Sequence, residues 1–406
     1  MTNMDKISTD EAKIAEILTR SIDSIYPTRQ AFESALKSGE RLSFYVGIDP
    51  TADYVHLGHS TNYLLLKRLH NLGHKINVLV GDFTAMIGDP SDKTSARVQL
   101  TRQQVQENLK TFKEQIGKIL PFDDATNPIE FKFNSDWLSP LTFRDAVELA
   151  SHFTVQQMIE RDAFQKRLQK NKPLYVHEFF YPLMQGYDSV AMNIDGEIGG
   201  TDQTFNMLAG RTLVRKYNGR EKFVITTTLL TNPETGEKLM SKSLGTGIAL
   251  NLPANIMFRK IMQLPDCSIE QVMTDCTEMP LDEIQQDLQK IQSGENPKNI
   301  KLKMAYVITK MYHGESSAQK AKEEWIRLIS EKDISSNDYE KITLSGQDDM
   351  IDLFADEMHI SKNSLRRLFI QSAVRLNGEK IALENFKDLK KGDKITIGKK
   401  NRFIIT

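Results

Sequence analysis

The stretch 43–60 constrains the fold most, because it combines a strand, a sharp turn and the beginning of a helix. Residues 43–48 are rich in residue types that favour β-structure, and Asp49-Pro50 ends the strand. A helix is predicted from about Gly58, because leucines at 65, 66, 69 and 72 have a helical spacing and Gly73 is placed to cap its end. A second strand, 76–80, follows it directly. Such a βαβ unit predicts an α/β protein with a parallel sheet, whose ligand binds at the carboxyl ends of the strands beside a helix N-terminus.

The composition is that of an ordinary folded protein. The 406 residues are 39% hydrophobic and 26% charged, which is enough for two or three domains. No apolar run approaches the ~20 residues of a membrane span, and the first residues lack the features of a signal peptide, so we predict a cytoplasmic protein without membrane contact. Cys267 and Cys276 lack the spacing of zinc ligands and are predicted to be ordinary thiols.

Two histidines stand at the predicted helix start, in the word His56-Leu57-Gly58-His59. His56 and His59 can donate hydrogen bonds to a phosphate, and Gly58 lets a flat base approach the backbone. A metal pair and a solvated loop are the alternatives. The pair supplies only two metal ligands, so a metal site is disfavoured, while phosphate binding and a solvated loop stay open.

Residues 81–97 form a second candidate, a loop that superficially resembles a phosphate-binding P-loop. That interpretation fails because Asp92 stands where the second glycine is required. What remains is a loop with an acid, Asp89, and two cations, Lys93 and Arg97. Taken alone, it is best interpreted as a charged surface loop.

The predicted helix 180–192 carries three hydrogen-bonding side chains in one stripe, Tyr181, Gln185 and Asp188, opposite an apolar face. A solvent-facing stripe is the alternative. The aromatic residues around it favour a lined pocket.

Two further loops carry polar groups suited to a nucleotide. Asp202 follows adjacent glycines after a short predicted strand, where it can bind a ribose or cap a helix. The glycine-punctuated loop 232–247 carries Lys238 and Lys242, and a flexible loop of this kind can close on a polyphosphate.

Charge is unevenly distributed, although the net charge is only -1. Residues 266–296 hold eight acidic residues and one basic residue, whereas residues 356–406 hold twelve basic and six acidic residues. The basic segment predicts a helix with Arg366 and Arg367 on its polar side, then a hairpin at Asn377-Gly378. Phosphate binding and a solvated basic face are both open for it.

Five sequence motifs follow one another in this order: YVGIDPTADYVHLGH, MIGDPSDKTSAR, YPLMQGYD, IGGTDQ and EKLMSKSLG. They resemble the signatures of class I aminoacyl-tRNA synthetases, bacterial tyrosyl-tRNA synthetases in particular, over roughly residues 35–406. The resemblance implies an α/β fold with a Rossmann-like parallel-sheet catalytic domain, a small helical domain and a small α+β RNA-binding domain of the alpha-L type. The residue pattern predicts an N-terminal helical segment 1–34, with helices from Glu11 to about Ile25 and from Thr28 to Leu36, and a polar linker 331–349. The resemblance implies the catalytic domain 35–230, the signature loop 231–248, the helical anticodon-stem domain 249–330 and the RNA-binding domain 350–406.

The implied reaction activates L-tyrosine with ATP to tyrosyl-adenylate and pyrophosphate, then transfers the tyrosyl group to the 3′ end of tRNA(Tyr). Mg²⁺ is expected with ATP, without a tightly bound cofactor or a protein metal site, and the family forms a homodimer. For tyrosine, the resemblance implies Tyr45, Asp89, Tyr181, Gln185, Asp188 and Gln203. For ATP, it implies Gly47, Asp49, His56, Gly58, His59, Asp202 and Lys242. For charge stabilisation during the reaction, it implies Thr51, His56, His59, Lys93, Arg97 and Lys242. For RNA, it implies Arg366 and Arg367.

Two positions depart from the family pattern. Leu239 replaces the first lysine of the second signature, with Lys238 one place earlier, and Glu197 stands where glutamine is commoner. A tryptophanyl-tRNA synthetase is the nearest alternative; an RNA-binding protein on a synthetase scaffold and a tRNA-independent adenylyltransferase are others. Tyr45 beside Asp188, the word YPLMQGYD and the basic tail favour the tyrosine enzyme.

Overall fold

A computed structural model describes residues 7–91, 100–240, 245–330, 339–344, 349–358, 360–387, 389–398 and 401–406. Among these residues, no helix combines the length and the apolar character that crossing a membrane requires.

The part of the chain for which the resemblance implies a catalytic domain, called the catalytic part below, is built on one sheet of six strands. The strands are β1 Ile22–Tyr26, β2 Ser43–Ile48, β3 Lys75–Val80, β4 Glu130–Phe133, β5 Gly196–Gly200 and β6 Phe223–Thr227. Their spatial order is β1-β6-β5-β2-β3-β4; β2 to β6 run parallel, and β1 pairs antiparallel with β6. The chain moves outward from β2 through β3 in one direction and later from β5 through β6 in the other, so the order switches between β2 and β5. In open α/β sheets this switch point is where ligands bind.

Twelve helices described along the first 217 residues surround this sheet. They are α1 Glu11–Thr19, α2 Arg29–Lys37, α3 Leu57–Asn71, α4 Thr84–Ile87, α5 Arg102–Leu109, α6 Phe112–Gly117, α7 Ser135–Leu138, α8 Phe143–Ala150, α9 Val155–Ile159, α10 Asp162–Gln169, α11 Phe180–Ala191 and α12 Thr204–Tyr217. The predicted βαβ unit is confirmed as β2-α3-β3. Helix α3 ends as its leucine pattern predicts, because Gly73 has φ +97° and its N–H donates to the carbonyl of His70 at 2.8 Å.

A helical module follows and shares its apolar core with the catalytic sheet. Its helices are α13 Ala254–Gln263, α14 Ile269–Cys276, α15 Leu281–Gln292 and α16 Pro297–Ser330. Helix α16 is broken at Gly314, which has φ 78°. Phe258 of α13 and Met304 of α16 lie in the same buried cluster as Leu65 of α3, so the module packs directly on the catalytic part.

The tail has a sheet and a core of its own. Its elements are β7 Glu340–Ile342, α17 Met350–Glu357, α18 Lys362–Ile370, β8 Val374–Leu376, β9 Glu379–Lys380, β10 Lys394–Ile397 and β11 Asn401–Ile405. The strand order is β7-β11-β10-β8-β9. The predicted hairpin at Asn377-Gly378 is confirmed, since both residues have positive φ, 50° and 92°, between β8 and β9.

Two sequence predictions need correction. Residues 11–25 were predicted to be one helix, but Ser21 has φ 63°, the helix ends before it, and β1 joins the edge of the catalytic sheet. Of the predicted linker 331–349, residues 331–338 and 345–348 lie outside the described residues, but within the rest β7 pairs in parallel with β11 and buries Ile342 in the tail core. In both cases a short segment gains its strand from a distant partner, which local residue preferences do not reveal.

Candidate functional site

A cavity of about 800 Å³ opens at the carboxyl ends of β2 and β5, at the switch point of the sheet. The structure brings together around it thirteen of the predicted residues: Tyr45, Gly47, Asp49, Thr51, His56, Gly58, His59, Asp89, Tyr181, Gln185, Asp188, Asp202 and Gln203. Lys93, Arg97 and Lys242 lie outside the described residues. Arg366 and Arg367 belong to the tail and do not line this cavity.

The two histidines are arranged as a stacked pair at the N-terminus of α3. Their ring centroids are 3.6 Å apart with an angle of 21° between the planes, and the His56 N–H donates to Nδ1 of His59 at 3.1 Å. Gly58 is required for packing here, because a Cβ atom would lie 3.0 Å from Cβ of Met240 and 3.2 Å from the His56 ring. Met240 of the signature loop therefore packs directly against the N-terminus of α3.

Both described ends of the signature loop are tied to the protein by backbone hydrogen bonds. In the first described part of the loop, 231–240, the Leu239 N–H donates to the carbonyl of Leu230, directly before the loop, at 2.9 Å. After it, the Leu57 N–H donates to Ile248 O at 2.8 Å, and the Leu250 N–H donates to Val55 O at 2.8 Å. The loop thus begins and ends beside the histidine pair.

Lys238, whose role the sequence left open, lines the cavity and forms an ion pair with Asp202 at 3.4 Å. Asp202 lies in a 3-10 turn after β5, and the N-cap of α12 is Gln203. Of the two roles that the sequence allowed for Asp202, helix capping is therefore not the one observed.

Asp89 has several hydrogen-bonding partners and one ion-pair partner. Its carboxylate accepts hydrogen bonds from the N–H of Ser91 at 2.9 Å and its hydroxyl at 2.6 Å, and from Nε2 of Gln203 at 2.8 Å, and it pairs with Arg161 at 3.2 Å. Burial opposes its ionisation, but Arg161 and these donors bring the pKa of Asp89 below its usual value. The cavity therefore holds a carboxylate suited to an ammonium group.

Asp188 and Tyr45 form the deepest polar part of the cavity. Asp188 is 2% exposed and accepts hydrogen bonds from Nε1 of Trp137 at 2.7 Å and Nδ2 of Asn134 at 3.3 Å. Burial raises the pKa of Asp188 well above its usual value. The Tyr45 hydroxyl is also buried and lies 2.9 Å from Oγ of Ser189, and burial raises the pKa of Tyr45.

The other two members of the α11 stripe point into the same cavity but have different partners. The Tyr181 hydroxyl donates to Oδ2 of Asp49 at 2.8 Å, and Nε2 of Gln185 donates to Oε1 of Glu197 at 2.9 Å. Asp49 also accepts from the Thr84 hydroxyl at 2.7 Å, and its carboxylate fills the space that a Cβ at Gly81 would need. The stripe therefore connects the ends of β2 and β5.

Sequence reasoning missed several residues that shape this site. They are Asn134, Trp137, Arg161, Ser189 and Lys222. The first four contact Asp188, Asp89 or Tyr45 from another element, whereas Lys222 contacts Glu197, whose role the sequence left open; none of the five stands in a motif. Only Ser189, next to Asp188 in the chain, carried a signal: a small polar residue in the helix beside the predicted stripe.

Three comparisons with known proteins agree. Residues 37–330 match the family described as tRNA synthetases class I (W and Y). A protein named tyrosine–tRNA ligase 2 from Clostridium acetobutylicum is 40% identical over 392 residues, covering 95% of this chain and 96% of that protein. The tyrosine–tRNA ligase of Thermotoga maritima is 36% identical, with 96% of each chain covered.

Solved structures share the fold at lower identity. A C-terminally truncated mitochondrial tyrosyl-tRNA synthetase from Aspergillus nidulans superposes with a TM-score of 0.66 at 20% identity, covering 78% of this chain and 94% of that one. A tyrosyl-tRNA synthetase from Archaeoglobus fulgidus, solved with L-tyrosine, gives a TM-score of 0.60 at 20% identity, covering 77% and 99%.

Proposed function

The chain belongs to the class I tRNA synthetases of the tryptophan and tyrosine family, and we propose that it is a tyrosine–tRNA ligase whose amino-acid site is the cavity between β2 and β5. The enzyme activates tyrosine with ATP and then charges tRNA(Tyr). We place this reaction in the cytoplasm, where translation uses charged tRNA.

The buried pair of Asp188 and Tyr45 carries the proposal. Both side chains line the cavity, and both present a polar oxygen in a region from which solvent is excluded. A phenol hydroxyl can add a hydrogen bond to each of these oxygens, whereas phenylalanine displaces solvent from them without replacing its hydrogen bonds, at a cost of about 1–3 kcal/mol for each hydrogen bond lost. The curated relatives at 36–40% identity are tyrosine–tRNA ligases, which favours tyrosine over tryptophan.

In the first step, an oxygen of the tyrosine carboxylate attacks the α-phosphorus of ATP. One oxygen–phosphorus bond forms while the bond to the leaving pyrophosphate breaks, so no side chain acts as a nucleophile. Asp89 binds the α-ammonium group, and its low pKa keeps it charged for this task. ATP enters with Mg²⁺.

The histidine pair and the polar ends of β2 and β5 surround the nucleotide. Thr51, His56 and His59 stabilise charge on the phosphates, and Gly47, Asp49 and Asp202 line the adenosine side. We assign Lys93, Arg97 and Lys242 to pyrophosphate from the sequence. This is catalysis by positioning and by fixed charges.

In the second step, a hydroxyl of the terminal ribose of tRNA attacks the tyrosyl carbonyl and AMP leaves. The tail, which we assign to the alpha-L RNA-binding type, presents Arg366 and Arg367 on the exposed side of α18, opposite buried Leu365 and Phe369. These arginines contact RNA phosphates, so the affinity is expected to fall with salt.

Exposed apolar side chains between residues 143 and 176 support a homodimer. Phe143 is 84% exposed and Val176 75% exposed, and Val147 and Val155 are exposed in the same part of the chain. Apolar side chains this exposed are typical of a protein interface, and we assign a second copy of the chain to it. Sedimentation of the Phe143→Ser/Val147→Ser variant should give monomers. The control Leu383→Ser, in the tail, should leave the protein dimeric. Dimers in both variants would exclude the exposed apolar residues 143–176 as the dimer interface.

The test of the function is ATP–pyrophosphate exchange without tRNA, with tyrosine, tryptophan or phenylalanine supplied separately. We expect exchange with tyrosine only. Exchange with tryptophan only would make the protein the other member of its family, and no exchange with any of them would favour an RNA-binding role for the scaffold.

A further inference from the structure

A buried ion pair lies directly behind the amino-acid end of the cavity. Glu197 on β5 is 1% exposed, and Lys222, one residue before β6, is 0% exposed. Nζ of Lys222 contacts Oε2 of Glu197 and donates to the carbonyl of Met207 at 3.2 Å. The same Nζ lies 5.9 Å from the centroid of the Tyr45 ring.

The Glu197 carboxylate connects this pair to the substrate pocket. Oε1 accepts the hydrogen bond from Gln185 at 2.9 Å, and Oε2 accepts a longer one from the Ser189 hydroxyl at 3.4 Å. Ser189 in turn lies 2.9 Å from the Tyr45 hydroxyl. Glu197, Gln185 and Tyr45 all line the cavity.

Stability alone is a poor reason for such a pair. Taking two charges out of water costs more than their attraction returns in many proteins, and a neutral pair of similar size is often as stable. A carboxylate, however, only accepts hydrogen bonds, and a charged acceptor holds its donors more tightly than a neutral one. At position 197 it therefore fixes which way the Gln185 amide and the Ser189 hydroxyl point.

We propose that Glu197 and Lys222 form a positioning pair for the amino-acid substrate: Glu197 orients Gln185 directly and Tyr45 through Ser189, and Lys222 supplies the positive charge that allows a carboxylate there. This rests on the proposed function, because it assigns the pair to the tyrosine pocket. The pair acts through Gln185 and Ser189, which both donate hydrogen bonds to the Glu197 carboxylate.

The experiment measures KM for tyrosine and for ATP separately, together with kcat, in pyrophosphate exchange. Glu197→Gln leaves the Lys222 ammonium buried without its partner, and Lys222→Met leaves the Glu197 carboxylate buried without its cation. Each change is expected to raise KM for tyrosine about tenfold or more, with KM for ATP within about twofold of the original enzyme.

The double variant Glu197→Gln/Lys222→Met removes both charges at once and keeps one acceptor for Gln185. It should restore KM for tyrosine to within about threefold of the original value, far better than the product of the two single effects. A matched control is Arg220→Met, which breaks the half-buried pair with Asp195 outside the cavity and should leave both KM values unchanged.

Ser189→Ala provides a second test if either single variant folds poorly, because it removes the link to Tyr45 without burying a charge. It should raise KM for tyrosine about threefold to tenfold and spare KM for ATP.

The proposal is overturned if the variants change both KM values alike, if KM for tyrosine stays unchanged in Ser189→Ala and in the single variants that fold, or if the double variant shows no rescue. Tyrosine-dependent exchange by the unchanged enzyme is measured first. If it were absent, the proposed function would fail, and this inference with it.

Discussion

The amino-acid end of the cavity and the polar side of α18 use polar groups in opposite ways. In the cavity, Asp188 is 2% exposed and already holds two hydrogen bonds from protein donors. On α18, Arg366 and Arg367 are exposed, and Nη1 of Arg366 donates to Oδ1 of Asn363 at 3.3 Å on the same helix.

The difference corresponds to two tasks: the buried groups select one substrate, and the exposed charges attract RNA. A buried polar group left unpaired costs about 1–3 kcal/mol, so a few such groups can reject a substrate that lacks one hydroxyl. An exposed charge pair is worth at most about 1 kcal/mol, so the tail must combine several cations and cannot by itself choose one substrate sharply. We therefore expect substrate identity to depend on the cavity and RNA affinity on the tail.

The largest effect is expected from Asp89→Asn. Removing the charge that faces the substrate ammonium leaves that ammonium unpaired in a largely buried site, which should lower kcat/KM for tyrosine about 100- to 1000-fold in pyrophosphate exchange. Binding of tRNA, measured by filter retention, should not change. Asp123→Asn, an exposed acid outside the cavity, is the matched control and should behave like the original enzyme.

Removal of the tail tests the other side of the comparison. The chain 1–330 keeps the apolar cluster shared by the catalytic and helical parts, because the tail core is a separate cluster. It should form tyrosyl-adenylate at a rate within about twofold of the full chain, yet charge tRNA about 10- to 100-fold less efficiently at physiological salt. Equal charging by both chains would contradict the assignment of the tail to RNA.

A smaller change sharpens the same prediction. Arg366→Gln/Arg367→Gln should weaken tRNA binding about threefold to tenfold and should reduce the dependence of the affinity on salt, since two phosphate contacts are lost. Lys362→Gln is the control on the same helix, because Lys362 already pairs with Asp352 at 2.6 Å. If the double variant kept the original slope of affinity against salt, these arginines would not contact phosphate.

The smallest effect concerns stability in acid, and it is confined to the catalytic part. His74 is fully buried, and its Nδ1 accepts a hydrogen bond from the Leu42 N–H at 3.3 Å. Burial, aided by the positive charge of Arg41, lowers the pKa of His74 from 6.5 to about 4. Below pH 6.5 the unfolded chain therefore binds a proton that the folded chain does not.

The free energy of unfolding should accordingly fall as the pH is lowered from 6.5 to about 4, with a slope of at most about 1.4 kcal/mol per pH unit from this group. Urea unfolding at several pH values measures the slope. His74→Asn should flatten it and the half-buried His152→Asn should not; the same slope in all three proteins would exclude His74 as its source.

Local patterns predicted what depends on neighbours in the chain. The β2-α3-β3 unit, the Gly73 cap and the stripe of Tyr181, Gln185 and Asp188 all follow from periodicity or turn chemistry, and the structure places the stripe at the cavity. Contacts between distant elements were not predictable in this way. Arg161 reaches Asp89 across 72 positions and Lys222 reaches Glu197 across 25, and nothing in their local sequence marks them.

Strands β1 and β7 show that the fold, like the site, depends on contacts between distant parts of the chain. Each is short and lies at the edge of its sheet, and each owes its conformation to a partner strand far along the chain. Residue preferences over three to five positions are too weak to decide between a strand and a helix or linker without that partner.

The most direct test of the central claim is the calorimetric affinity of tyrosine and of phenylalanine for the original enzyme and for Asp188→Asn. If the buried end of the cavity recognises the phenol hydroxyl, the original enzyme should bind tyrosine at least about 100-fold more tightly than phenylalanine, and Asp188→Asn should remove most of that preference by weakening tyrosine alone. An unchanged preference in Asp188→Asn would contradict the account, because the discrimination would then lie elsewhere in the molecule.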